Sequence, residues 1–229
     1  MEMIYKSARL EKQALSEREL ALINKQSLRE LNADEVFAFR LAACDNQVDR
    51  DNERFTENTL EQLAKMYIGK TVLLDHVWSA KSQTARIYNA YVSGEGDVKR
   101  LILCCYTVRT ESMADTISAI EGGILRECSV GCTVEHVLCS ICGADQRTTL
   151  CQHRGGHEYD GKICHFDLVD ACEAYEVSLV AVPAQPKAGV VKAKRYGGTE
   201  GKEPHAPGGA DDKERWQDEA ALALEKMRF

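Results

Sequence analysis

The chain has 229 residues, 44% of them hydrophobic, with a formal net charge of −7 and a pI near 5.5. That is enough for one domain with a real core plus appendages, and the acidic balance argues against a nucleic-acid partner, whose phosphates need a basic face. No apolar run approaches the ~18 residues of a membrane span, and Met1 to Leu10 lacks the apolar stretch of a secretory leader. The expectation is a protein that stays in the cytoplasm where it is made.

In chain order, Ser16 to Leu31 reads as a helix, with Ser16 and Glu19 as a capping box and Leu20, Ile23 and Leu31 as an apolar stripe. Val36 to Cys44 reads as a strand, and polar Asp45 to Glu53 as a turn. A second helix is predicted from Glu57 to Ile68, capped by Thr56 and stopped by Gly69. Val72 to Leu74 is a short apolar strand that delivers Asp75 and His76. Two strands follow, Thr84 to Val92 and Arg100 to Val108, divided by a turn from Ser93 to Asp97. A third helix spans Glu111 to Glu121 and stops at Gly122-Gly123. Cys128 to Val137 alternates, with Cys128, Val130, Cys132 and Val134 on one face and Ser129, Gly131, Thr133 and Glu135 on the other. A last strand runs from Tyr175 to Val182, before Pro183.

These elements predict an α+β fold, a mixed or antiparallel barrel-like sheet flanked by helices. The organisation expected is a helical arm over 1–33, a main domain over 34–196 interrupted by a Cys/His-rich insert over 139–165, and a tail over 197–229. The tail combines a Gly- and charge-rich linker with a short helix from Glu214 to Met227.

Six of the ten cysteines and four of the six histidines fall between Cys128 and His165. Disulfides are rare in a reducing compartment, so metal binding, catalysis or burial must account for the thiols. Cys139-Ser140-Ile141-Cys142-Gly143 is a C-x2-C-G knuckle, and Cys151-Gln152-His153 supplies two further ligands. Zinc favours four such donors in a tetrahedron, so Cys139, Cys142, Cys151 and His153 are the predicted set, with His157 and Cys164 as replacements. The insert holds little to build a core, which a structural zinc would explain. Following the Ser129 strand directly, it is expected as a hairpin extension near the functional site. Cys44, Cys104, Cys105 and Cys172 are expected to be simply buried.

Ser129 lies on the polar face of its strand, with Gly131 beside it to admit a substrate backbone. A serine hydroxyl needs a base to become a nucleophile, and a third group to orient that base. His76, held after an apolar run, can supply the base. Glu176, among Tyr175, Val177, Leu179 and Val180, is a carboxylate that burial would make costly without a partner. On residues alone, a structural or surface histidine after a strand, an ordinary strand serine and a glutamate on an exposed strand face are the commoner readings.

Three ordered blocks resemble the prohead proteases of tailed phages. They are Thr71-Val72-Leu73-Leu74-Asp75-His76, Gly123-Ile124-Leu125-Arg126-Glu127-Cys128-Ser129-Val130-Gly131, and Tyr175-Glu176-Val177-Ser178-Leu179-Val180-Ala181-Val182-Pro183-Ala184. Asp49 to Phe55 resembles the family's acidic lead-in to its first helix, and the likeness extends from about Val36 to Val191. The resemblance implies a fold similar to herpesvirus maturation proteases and a serine endopeptidase with Ser129 as nucleophile, His76 as base and Glu176 in the third place. Asp75, Glu173 and Asp170 are the alternatives for that place. It further implies oxyanion donors around Val182 to Gln185, capsid and scaffold proteins as substrates, and action inside proheads assembling in the host cytoplasm. A homo-oligomer is compatible with the sequence; nucleic acid and membrane are not expected partners. The competing readings are a zinc-knuckle protein-binding module, and a capsid scaffold protein with an inactive protease fold. A zinc hydrolase using Glu135 and His136 ranks last, because no H-E-x-x-H spacing occurs.

Overall fold

A computed structural model describes residues 15–182 and 188–192, all within one compact unit. The linker and helix expected beyond 196, and the oxyanion segment after Val182, lie outside the described residues.

The first helix, α1 (Glu17–Asn24), is capped as expected: the Ser16 side chain accepts from the Glu19 amide while the Glu19 carboxylate answers the Ser16 amide. It ends about two turns early, at Asn24 rather than Leu31. Asn24 turns the chain by bonding Leu31 with its own side chain, accepting from the Leu31 amide at 2.9 Å and donating to the Leu31 carbonyl at 3.1 Å. Ile23 and Leu31 therefore meet in one apolar cluster without sharing a helix.

The central sheet is mixed. Strands β1 (Val36–Asp45), β4 (Ala85–Glu95) and β5 (Val98–Val108) form an antiparallel set, and the β4–β5 hairpin turns on Gly96-Asp97 alone. Gly94 is obligatory there, since a Cβ would fall on the Val98 carbonyl. The short strands β2 (Glu53–Phe55) and β3 (Thr71–Leu74) both run parallel to β9 (Phe166–Leu179), pairing with successive halves of it. The helix α2 (Glu57–Tyr67) makes the crossover between them, capped by Thr56. Strand β6 (Cys128–Cys139) pairs antiparallel with β9, β7 (Glu158–Tyr159) and β8 (Lys162–Ile163) form a separate antiparallel pair within the insert, and β10 (Gly189–Lys192) pairs antiparallel with β1.

This is an α+β fold without a closed barrel. Among the described residues the two ends of the sheet are joined by a single bridge, Glu127 to Gly189, rather than a ladder. The third helix begins as a 3-10 turn, Glu111–Met113, and becomes regular as α3 (Ala114–Glu121).

Burial divides the sheet into faces. Leu41, Val72, Ile87, Leu103, Val177 and Leu179 form the main core with Leu60 and Leu63 of α2 and Ile117 and Ile120 of α3. The opposite face is covered over β1, β4 and β5, where Ile23 of α1 packs near Tyr88, Cys104 and Tyr106. The same face of β3, β9 and the start of β6 carries Thr71, Leu73, Glu176, Ser178, Ser129 and Gly131.

Candidate functional site

Each predicted member of the Ser-His-Glu set reaches this face through a separate element. Ser129 and Gly131 on β6 stand opposite Ser178 and Glu176 on β9, and Leu73 and Thr71 of β3 flank the same pair from the other side. His76 follows β3 through two consecutive left-handed residues, Asp75 (φ 50°) and His76 (φ 55°). Such conformations cost a non-glycine residue on the order of 1–3 kcal/mol each. They persist because their amides are engaged: Asp75 donates to the Leu179 carbonyl at 3.0 Å, and His76 donates to Ser178 Oγ at 3.0 Å.

The His76 ring then folds onto Glu176, with Nδ1 2.8 Å from Oε1. The other carboxylate oxygen, Oε2, accepts from Ser178 Oγ at 2.5 Å. Backbone and ring of His76 are thus both tied to the Glu176–Ser178 pair. The Glu176 side chain is 2% exposed and that of His76 40%, so a buried carboxylate orients a histidine that solvent can still reach. With the proton on Nδ1, the Nε2 atom is free to accept one.

Gly131 has a different role from the one expected. A Cβ there would lie 2.5 Å from Glu176 Oε1. The missing side chain makes room for the carboxylate beside His76. Of the other acids considered, Asp75 and Glu173 are exposed, and Asp170 accepts from Asn58 and Gln62 of α2. Ser129 is half-buried, and its hydroxyl makes no hydrogen bond to His76 among the described residues. Catalytic hydrogen bonds are often loose without substrate. Cys128 points into the core, where burial pushes its thiol up to about 12, so no thiolate competes with Ser129.

Sequence reasoning missed Ser178, although it lay in the quoted block: a strand serine carries no signal of its role until its partners are known. It also missed the first half of β9 and the short strands β2 and β10.

The insert brings Cys139, Cys142, Cys151 and His153 together, their ligand atoms within 4.8 Å of one another, and this group could hold a metal ion. The residues fit one. Gly143 takes the left-handed turn (φ 73°) after the knuckle. Burial raises the Cys139 thiol, but hydrogen bonds from the Cys142 and Ile141 amides and from the Cys151 and Cys142 thiols together bring it down to about 7. His153 Nδ1 is buried without a hydrogen-bond partner among the described residues, as an open ligand atom would be. Cys164 lies beside the group, its sulfur 3.9 Å from that of Cys139, and His157 Nδ1 sits by its neighbour Gly155; neither belongs to the four. Cys172, expected in the core, is exposed because a register shift on β9 turns it outward.

The insert is not near Ser129. Cys139 pairs with Phe166 at the far end of the β6–β9 ladder, ten residues or roughly 30 Å along the strand at about 3.3 Å per residue. There Gly155 and Gly156 pack on Asn52, and Asn52 accepts from the Phe166 amide at 2.9 Å. His136, considered for a zinc hydrolase, instead binds Asp145, with Nδ1 2.8 Å from Oδ2. Asp145 also accepts from the Val137 and Arg147 amides, which anchors the knuckle to β6. No helix among the described residues is long and apolar enough to cross a membrane.

Comparison with protein-family models, curated proteins and solved structures finds no match for the chain.

Proposed function

We propose that the chain is a serine endopeptidase of the prohead-maturation type, with Ser129 as nucleophile, His76 as base and Glu176 as its orienting acid. The carrying observation is the closed set of hydrogen bonds among His76, Glu176 and Ser178, one strand away from Ser129. A strained histidine clamped by a buried carboxylate is expensive for stability alone and useful for proton transfer. The mixed sheet, with its ends linked among the described residues by one bridge, supports kinship with the herpesvirus maturation proteases.

In the reaction, Ser129 Oγ bonds to the peptide carbonyl carbon while His76 Nε2 takes its proton. Glu176 stays ionised and stabilises the imidazolium. His76 returns the proton to the departing amine, leaving an acyl-serine. Water then attacks with His76 again as base, releasing the acid product and free Ser129. The substrates are segments of capsid and scaffold proteins, inside proheads in the host cytoplasm. The metal is a structural zinc on Cys139, Cys142, Cys151 and His153, which ties down the insert and takes no part in the reaction.

The alternative is an inactive protease fold whose knuckle binds a capsid component. The unengaged Ser129 hydroxyl and the distance of the insert from it favour that reading. A serine-reactive phosphonate separates the two. The protease labels at Ser129 and the Ser129→Ala variant does not, while co-expression with the capsid protein yields processed product only from the unaltered chain. A folded protein that neither labels at Ser129 nor processes its capsid protein ends the enzyme reading.

A further inference from the structure

Beside the His76–Glu176 pair lies a groove of about 360 Å³ whose lining includes Lys70, Leu73, Trp78, Arg86 and Tyr175. Two features set its chemistry. The first is an aromatic wall: Trp78, two residues after His76, is 70% exposed and meets Tyr175 edge-on with ring centroids 5.9 Å apart. Tyr175 is available because β9 bulges there. Gly131 pairs with Glu176 but Cys132 pairs with Ala174, and Ala174 takes the core position.

The second feature is charge. Lys70 and Arg86 line the groove, and among the described residues no aspartate or glutamate does, in a chain of net charge −7. Lys70 has no ion-pair partner among the described residues. Arg86 is held rather than neutralised, donating from Nη1 to the Gly69 carbonyl at 2.9 Å and from Nη2 to Gln83 Oε1 at 3.3 Å. Neither partner is a carboxylate. Two cations lining the same groove as an exposed tryptophan suit an acidic side chain flanked by an apolar one.

We infer that this groove is a specificity subsite for polypeptide substrates carrying an acidic residue beside an apolar one, a deduction that rests on the protease reading. The apolar side chain packs on Trp78 and Leu73, and the carboxylate meets Lys70 and Arg86. Thr71 and Leu73 stand opposite Glu176 and Ser178, so a chain seated there passes His76.

The test uses the full chain with Ser129→Ala, to prevent turnover, and Trp216→Phe, leaving Trp78 as the one tryptophan of the two. A short capped peptide with a Leu-Glu pair flanked by Gly and Ser is titrated against Trp78 fluorescence, alongside its Gln counterpart. The Glu peptide should perturb Trp78 and bind at least about fivefold more tightly than the Gln peptide, and Lys70→Gln should remove most of that difference. Equal binding of the two peptides, or no response of Trp78, overturns the subsite. Phosphonate labelling of unaltered Ser129 is scored in parallel. Labelling without peptide discrimination removes the subsite and leaves the protease, whereas discrimination without labelling removes the protease and leaves an acidic-peptide groove.

Discussion

Gly131 faces Glu176 across the β6–β9 ladder so closely that a methyl group on the glycine would lie 2.5 Å from the carboxylate oxygen that holds His76. Gly131→Ala should push Glu176 off the imidazole in a site with no space to absorb it. The expected result is a loss of about 1–3 kcal/mol in stability and a fall on the order of 100-fold in phosphonate labelling of Ser129. Thermal unfolding and labelling rate check the two effects separately. Unchanged labelling would mean that the Glu176 contact is dispensable.

Glu176→Gln keeps the side chain's volume and removes its charge. The amide cannot stabilise an imidazolium, so turnover of a peptide substrate should fall about 10²–10⁴-fold. Combined with Ser129→Ala, the double variant should be no slower than Ser129→Ala alone, because the groups act as a unit. Losses that multiply would separate Glu176 from the reaction.

Ser178→Ala removes a donor to the carboxylate and the acceptor of the strained His76 amide. Leaving such buried groups unpaired costs about 1–3 kcal/mol. Because His76 loses its backbone anchor, kcat should drop with little change in KM. A variant that loses stability alone, with kcat intact, would make Ser178 purely structural.

Purified protein should carry about one equivalent of zinc, lost in Cys139→Ser and retained in Cys164→Ser and His157→Ala. Chelation should open residues 139–165 to proteolysis while leaving Ser129 labelling within about twofold, since the ladder separates the two sites by roughly 30 Å. Loss of labelling on chelation would show the two ends to be coupled.

The His136–Asp145 pair gives a pH dependence of known sign. The His136 hydrogen bond, with the Arg147 and Val137 amides, holds the Asp145 carboxyl down at about 2. Its contribution is complete above the ordinary carboxylate range, near 4, and is lost as pH falls towards 2. The same hydrogen bond raises His136, so that contribution is present below about 6.5 and is lost as pH rises through the elevated value. Denaturation across pH should therefore show two limbs that His136→Gln flattens. Persistence of both in that variant would assign them to other groups.

Local patterns in the sequence made much of the architecture legible. The capping box at Ser16, the Thr56 cap, the alternation through Ser129 and the run into His76 each state their element within a few residues. The knuckle ligands were legible because metal spacing is local too. What stayed hidden depended on pairing. On β9 the core positions are Leu168, Ala171, Ala174, Val177 and Leu179, mostly three apart, so a search for period two finds only the end of the strand. Register shifts near Cys172 and Tyr175 and left-handed Asp170 (φ 57°) produce that spacing. The distance of the insert from Ser129 was concealed likewise: adjacency in sequence ignores the length of the intervening strand.

Those irregularities make chain length in β9 a quantity that evolution can alter only at a cost. Deleting Tyr175 would restore regular pairing, with Ala174 still opposite Cys132, but would remove the aromatic that meets Trp78. One residue added to the regular run from Glu176 to Leu179 would instead turn the side chains before it to the other face. Homologous chains should therefore keep the residue count of β9 and small or apolar residues at Leu168, Ala171 and Ala174, while insertions and deletions gather in the hairpin beyond Cys139, between its ligand residues.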